Sequence, residues 1–247
     1  MYHFFVDKSQ IHSASITITG PDVNHIKNVL RMKPGEQVLI SNSEDRDYLC
    51  RLTEISADAV EAEILEEREE TTELPAKIWL FQGLPKSDKM ELIIQKAVEL
   101  GAYQVVPVAT KRAVVKLDKK KEEAKLKRWN AISESAAKQS KRLIIPEIAP
   151  VVSFDEALAF VKDFDSKCIP YECASGMDSV KQFVSQTGSG QKIAVFIGPE
   201  GGFEEAEIER AREAGVVPVS LGKRILRTET AGMALLSVLA FHLEGGL

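Results

Sequence analysis

The sequence predicts an α/β chain of two domains, on three observations. Before about residue 70, short alternating strands follow one another with one helical interruption. From Lys77 onward apolar strands alternate with helices, and between the two regions lies the acidic, threonine-rich "EEREETTELP", a linker ending at Pro75. A run of short strands suggests a small barrel, and regular strand–helix alternation suggests a mainly parallel sheet with helices on its faces. The expected domains are therefore a β barrel over 1–72 and an α/β domain over 73–247. A chain of 247 residues, 44% of them hydrophobic, can bury a core in each.

In the first domain "SITIT" alternates, "KPGE" turns the chain, and "QVLIS", "YLCRLTEI" and "AVEAEIL" follow as strands. The interrupting helix is expected to start near Asp22, a good N-cap, and to carry His25, Val29 and Leu30. In the second domain "KIWLFQG" precedes a helix expected to be capped by Ser87 and stopped by Gly101. "YQVVPVAT" precedes a long basic helix from about Lys119 to Ser140. "KCIPYECA", "KIAVFIG" and "VVPVSLG" continue the series, each followed by a helix. Ligands of such folds sit at the carboxyl ends of strands, where the glycine turns after Ile197 and Leu221 both lie.

The net charge of -5 is unevenly spread. Residues 1–74 hold 7 Lys/Arg and 15 Asp/Glu, 75–150 hold 16 and 8, and 151–247 hold 9 and 14. The basic excess lies between Lys111 and Arg142. Lys119 to Lys127 read as a solvated helix face, whereas Arg112, Arg128, Lys138, Lys141 and Arg142 suit a polyanion such as RNA. The N-terminus lacks a basic-then-apolar leader and the longest apolar run, near Ala231 to Phe241, is short for a bilayer, so a soluble, non-membrane protein is expected. Cys50, Cys168 and Cys173 make an odd count with no zinc spacing, which fits a reducing cytoplasm.

The stretch "IGPEGGFEEAEIERAREAG" runs from an apolar strand through a glycine turn into a charged helix. It lacks the lysine and hydroxyl of a phosphate-cradling loop and the spacing of a dinucleotide fingerprint. Gly198, Gly201 and Gly202 let a backbone approach a ligand, but Glu200 would repel a pyrophosphate. A neutral or cationic cofactor suits the turn better, and S-adenosylmethionine answers that description. Glu204 and Glu205 are expected to stabilise the positive end of the following helix. The second turn, "SLGKRILRTETAGMALL", places Gly222 after a strand, then an arginine-rich loop, then a helix expected to be capped by Thr228 or Thr230. Two such loops could enclose an adenosine, with Arg224 and Arg227 facing phosphate or carboxylate, or simply tying loops together.

The segments "IGPEGGF", "LGKRILRTETA", "GLPKSDKMELIIQKAVELG", "ESAAKQSKR" and "HIKNVLRMKPGEQV" together resemble the RsmE family, methyltransferases of N3 of a uridine in small-subunit ribosomal RNA, in the right order over nearly the whole chain. The resemblance implies a SPOUT-type parallel sheet with a C-terminal trefoil knot, a PUA-like N-terminal barrel for RNA, S-adenosylmethionine as cofactor, a homodimer, and ribosomal RNA in the small subunit or its late assembly intermediate as partner. Carried onto this sequence, cofactor contacts fall on Ile197, Gly198, Pro199, Glu200, Gly201 and Gly202, and on Leu221, Gly222, Ile225, Leu226, Arg227 and Thr228. RNA contacts are expected from His25, Arg31 and Lys33, and from Arg112, Lys138, Gln139, Lys141 and Arg142. The chain departs from the family pattern at Asn24–His25, often a histidine pair, at Tyr2–His3, often with an arginine, and at Gly222–Lys223–Arg224, often Gly-Pro-Arg.

Methyl transfer from a sulfonium is an in-line displacement that requires no metal, so positioning dominates. The imide proton at N3 must leave, helped by a base or by an arginine that stabilises the anion. Arg142 and Arg227 are the candidates to orient the uracil. Glu229 is a candidate base, with a plain first-turn helix role as its alternative. A non-catalytic RNA-binding assembly factor is the competing function; it leaves both glycine turns without a purpose.

Overall fold

A computed structural model describes residues 1–68, 72–115, 117–171 and 176–246. Part of the expected linker, 69–71, and Cys173 lie outside the described residues. The chain packs as two compact units: Met1–Glu73 with Ala137–Ile145, and Leu74–Ala136 with Pro146–Leu247. Among the described residues no helix is long and apolar enough to cross a membrane.

The first unit is a five-stranded sheet of β1 (Tyr2–Phe5), β2 (Ser15–Thr19), β3 (Gln37–Ser41), β4 (Asp47–Ile55) and β5 (Ala59–Arg68), in the order β1-β3-β4-β5-β2. Among the described residues of this sheet only β1 and β3 run parallel. Alternate residues turn inward, so Ile16 and Ile18, Tyr48, Cys50 and Leu52, and Val60 and Ala62 share one core with Phe4, Val38 and Ile40. Among the described residues the ladder runs from β1 to β2 without joining them, so the small barrel expected takes the form of a half-barrel. Four-residue β1 is too short to show a periodicity, and the sequence reading missed it. The helix α1 (Pro21–Asn24) continues into a π turn over His25–Val29. Its N-cap is Gly20, at φ 77°, and not Asp22, because Pro21 fixes the first helical position one residue earlier.

This unit holds several buried polar groups. His3 Nε2 lies 2.5 Å from Ser41 Oγ, and the Ser41 hydroxyl donates to Asp47. Burial, then the charges of Lys138 and Lys141, lower the His3 pKa to about 4. Arg142 is buried and donates to Glu73 from Nε at 2.8 and 2.9 Å, while the Leu143 N–H adds a bond of 2.9 Å to the same carboxylate.

The second unit comprises β6 (Lys77–Gly83), α2 (Lys89–Glu99), β7 (Gln104–Ala109), α3 (Lys119–Ser140, its last residues grouping with the first unit), β8 (Glu147–Ile148), β9 (Val152–Ser153), α4 (Phe154–Phe160), β10 (Ser166–Pro170), α5 (Asp178–Ser185), β11 (Lys192–Ile197), α6 (Glu205–Glu213), β12 (Val217–Val219) and α7 (Thr228–Leu243). The sheet is parallel throughout, in the order β12-β10-β11-β6-β7-β8, with β9 also on β7. Helices cover it, so its central strands read as apolar runs: Ile78–Phe81 and Ile193–Ile197 are buried. Phe81 stacks on Phe196 with ring centroids 4.6 Å apart at the middle of this core.

Two caps differ from the sequence reading. Asp88, not Ser87, precedes α2, because Ser87 adopts φ 58° and bends the loop back; Gly101, at φ 86°, ends the helix as expected. Arg227 is the N-cap residue of α7, and Thr228 already lies inside the helix with its hydroxyl committed elsewhere.

Candidate functional site

The turns after β11 and β12 face each other across a cavity of about 500 Å³ at the carboxyl ends of the strands. Ile197, Gly198, Pro199, Glu200, Gly201 and Gly202 line one wall, and Leu221, Gly222, Ile225, Leu226, Arg227 and Thr228 the other. The structure thus brings together every residue read from the sequence as a cofactor contact. Lys89, Arg112, Tyr171, Lys223 and Arg224 are among the other lining residues. Close packing favours glycine in the first turn: a Cβ on Gly198 would sit 3.1 Å from the Gly202 backbone, tighter than ordinary contact.

One hydroxyl holds the walls together. Thr228 Oγ1 donates to the Gly198 carbonyl at 2.6 Å and accepts from the Gln82 side-chain amide at 2.8 Å. Gln82 is fully buried at the end of β6 and also donates to the Gly83 carbonyl at 2.9 Å. The β6 end, the β11 turn and the start of α7 therefore form one hydrogen-bonded junction.

Glu200 is tied to the loop that Ser87 bends. It accepts from the Lys86 N–H at 3.1 Å and pairs with Lys89 Nζ at 3.0 Å. Burial works to raise the Glu200 pKa, but the Lys89 hydrogen bond and backbone donors outweigh it and the net shift is downward. Lys89, shifted upward chiefly by its hydrogen bond to Glu200, also lies 3.5 Å from Glu229 Oε2. That oxygen is buried and has no hydrogen-bond partner. Glu229 is not among the lining residues; it sits behind Lys89 at the first turn of α7.

The other predicted residues divide. Arg112 donates from Nη1 to the Gly201 carbonyl at 2.9 Å, which ties the segment after β7 to the first turn. Lys111 N–H makes a second tie, to the buried Glu207 at 3.0 Å. Glu207 also closes a capping box with Glu204, the N-cap of α6, and Glu205 lies in its first turn, as the helix-end reading expected. Lys223, Arg224 and Arg227 are exposed at the cavity rim, as is Ile225 at 87%. His25, Arg31, Lys33, Lys138, Gln139, Lys141 and Arg142 belong to the first unit and do not line the cavity. His25, Arg31, Lys33, Gln139 and Lys141 are exposed, Lys138 pairs with Asp22 at 2.9 Å, and Arg142 is engaged with Glu73. Arg128, on α3, pairs with Glu91 at 2.7 Å.

Sequence reasoning missed Lys89, Gln82 and Glu207. Of these only Glu207 carried a local signal, a glutamate three residues after the Glu204 cap. Lys89 and Gln82 act across the fold, and nothing in their neighbourhood announced it.

Comparison with known proteins agrees with this architecture. An RNA methyltransferase domain family matches residues 72–240, and an RNA methyltransferase PUA domain family matches 18–65. Ribosomal RNA small subunit methyltransferase E of Bacillus subtilis is 41% identical over 250 residues, covering 99% of this chain and 98% of the relative. Its namesake from Mesomycoplasma hyopneumoniae is 36% identical, covering 96% and 98%. Among solved structures, a ribosomal RNA small subunit methyltransferase E from Neisseria gonorrhoeae bound to S-adenosyl methionine superposes with a TM-score of 0.83 at 34% identity, covering 97% and 96% of the two chains. With its doubly walled cavity at the end of a parallel sheet and relatives matched end to end, the chain belongs to the ribosomal RNA small subunit methyltransferase E family of RNA methyltransferases.

Proposed function

We propose that this protein transfers a methyl group from S-adenosylmethionine to N3 of a uridine in small-subunit ribosomal RNA. The observation that carries the reading is the junction at Thr228, which joins two backbone-lined turns around a cavity of about 500 Å³. The residues present suit the cofactor. Gly198, Gly201 and Gly202 leave the backbone of the turn open to a ligand, and the Glu200 carboxylate in the lining disfavours a polyphosphate. Bound there, S-adenosylmethionine supplies a methyl on a sulfonium, open to in-line displacement.

The chain's own part is to hold, orient and manage a proton. Arg227, exposed on the rim, orients the uracil and stabilises its anion. Glu229 lies outside the cavity lining, behind Lys89, and takes the first-turn helix role, so the imide proton leaves to solvent at the open rim as Arg227 steadies the anion. Lys223 and Arg224 draw in the RNA backbone, together with Arg112 and, on the first unit, His25, Arg31, Lys33, Lys138, Gln139 and Lys141. Arg142 enters as the residue that fixes this basic segment through Glu73, a more economical role than contact with the uracil.

In the same reading, 1–72 is the RNA-binding domain and 73–247 the catalytic one, with its C-terminal part threaded as a trefoil knot. The protein works in the cytoplasm on the small subunit or its late assembly intermediate. It acts as a homodimer: Leu92 on α2 and Val238 and Phe241 on α7 are 43%, 42% and 55% exposed, an apolar face suited to a second copy. Incubation with labelled S-adenosylmethionine and small subunits from cells lacking the activity, followed by mapping of the modified base, tests the proposal. Label at uridine N3 is expected. Label at another base overturns the specificity, and RNA binding without label favours the non-catalytic assembly factor.

A further inference from the structure

The cavity is lined by Lys89, Arg112, Lys223, Arg224 and Arg227, and these cations are held in different ways. Lys89 pairs with Glu200 at 3.0 Å. Lys223, Arg224 and Arg227 are exposed on the loop after β12, with no side-chain partner among the described residues. Arg112 comes from a separate element, the segment after β7, and is fixed at several points. The Lys111 N–H donates to the buried Glu207 at 3.0 Å, and the Ala113 N–H closes a turn on the Thr110 carbonyl at 3.1 Å. Between them Arg112 Nη1 donates to the Gly201 carbonyl at 2.9 Å. Its stem runs along the same turn, since a Cβ built on Gly201 would sit 3.2 Å from Arg112 Cβ and 3.6 Å from its Cδ. Among the described residues the Gly201 carbonyl is its one hydrogen-bond acceptor, which leaves most of the guanidinium donors unspent. The side chain is exposed, so those donors are open to whatever enters the cavity.

A phosphate contact needs only charge and reach, which Lys223 and Arg224 have. A base contact needs a donor whose direction is set in advance, which Arg112 has. Uracil carries a carbonyl on each side of N3, and when the imide proton leaves, the negative charge spreads from N3 onto both oxygens. We propose that Arg112, besides adding to the field that draws in RNA, touches the acceptor base itself: an N–H that Gly201 leaves free donates to a uracil carbonyl beside N3. The planar guanidinium then holds the cofactor wall on one edge and the base on another, which fixes N3 relative to the methyl donor, and it shares the charge of the anion with Arg227. The inference rests on the methyl-transfer reading above and names a second residue that recognises its substrate.

The test compares Arg112→Ala, Arg112→Lys and the parent chain. The readings are the S-adenosylmethionine dissociation constant by calorimetry, the methylation rate at saturating small subunits, and the dependence of that rate on pH. Lysine keeps a cation that can hold the Gly201 carbonyl but has no fork to reach a second acceptor. It should therefore bind the cofactor as the parent does and still methylate about a hundredfold more slowly, close to the alanine variant. The deficit should narrow as pH rises, because solvent then supplies more of the imide anion that Arg112 no longer stabilises. Glu200, the one carboxylate of the lining among the described residues and itself shifted downward, titrates below that range. If the parent methylates uridine N3 and the variants only raise the KM for subunits in a salt-dependent way, Arg112 is a backbone contact and the inference is overturned. It is overturned equally if lysine restores the full rate, or if the rate falls only as cofactor affinity falls and the pH profile stays in place, since Arg112 is then a tie for the turn. If the parent places no label on uridine N3, the methyl-transfer reading falls and this inference falls with it.

Discussion

Replacing Thr228 with valine removes one hydroxyl and nothing else of consequence for volume, so it isolates the junction between the two turns. Thr228 is only 6% exposed. In its absence the Gly198 carbonyl loses a donor at 2.6 Å and the Gln82 amide loses one of two acceptors, the Gly83 carbonyl at 2.9 Å remaining. A buried polar group left without its partner costs about 1–3 kcal/mol. With one group fully orphaned and another half-satisfied, the expected loss is about 2–4 kcal/mol. For a unit of this size that corresponds to a fall in Tm of roughly 5–15 °C. Urea and thermal unfolding of Thr228→Val, Thr228→Ser and the parent chain measure it directly, with S-adenosylmethionine affinity as a second readout. Serine keeps the hydroxyl and should recover most of both. A valine variant that melts within about 1 °C of the parent and binds the cofactor unchanged would refute the junction as the element that holds the site.

Gly83→Ala should place a Cβ 2.6 Å from Pro199 Cδ and 2.7 Å from its backbone nitrogen, forcing the first turn away from β6. A stability loss of about 1–3 kcal/mol is expected, with weaker cofactor binding, while Gly188→Ala, which meets nothing within 4 Å, serves as the neutral control in the same urea titration. Arg227→Ala should lower kcat by about a hundredfold or more with the melting curve unchanged; unaltered turnover removes Arg227 from the site. His3 provides a pH test. Its folded-state pKa, about 4, lies below its ordinary 6.5, so the neutral imidazole is the form the fold favours. That contribution, about 3 kcal/mol, is complete above pH 6.5 and is lost as pH falls toward 4. Asp47, raised by burial, gains from protonation and acts in the opposite sense on acidification, so the comparison must be with His3→Gln, which shares it. Equal acid sensitivity of the two proteins in urea melts would show that His3 is not held neutral.

Much of the fold was legible because the relevant forces are local. "SITIT" can bury Ile16 and Ile18 only as a strand with one inward face, and Lys119 to Ser140 runs as a helix without a proline or glycine to interrupt it. Elements too short for a period to register, β1, β8, β9 and α4, were not legible. Caps failed at Asp22, Ser87 and Thr228 for a common reason: a good capping side chain is outbid when a neighbouring residue takes the special backbone angle or when its hydroxyl has a distant partner. The site divides in the same way. Both glycine turns could be placed at strand ends from sequence alone. The state of Glu200 could not, since the Lys86 N–H that it accepts belongs to a residue 114 positions away. Arg142 looked like a free cation for the same reason, its Glu73 partner being 69 positions away.

Each compact unit carries a free cysteine sealed from solvent, Cys50 in the first and Cys168 in the second. Burial pushes the Cys50 thiol up to about 12 and that of Cys168 higher still, so neither offers a thiolate to a reagent while its unit stays closed. With Cys173 replaced by serine, the rate at which a small alkylating agent consumes each thiol becomes a separate clock for the opening of each half of the molecule. Peptide mapping of the labelled sites would tell whether the halves breathe independently or in concert.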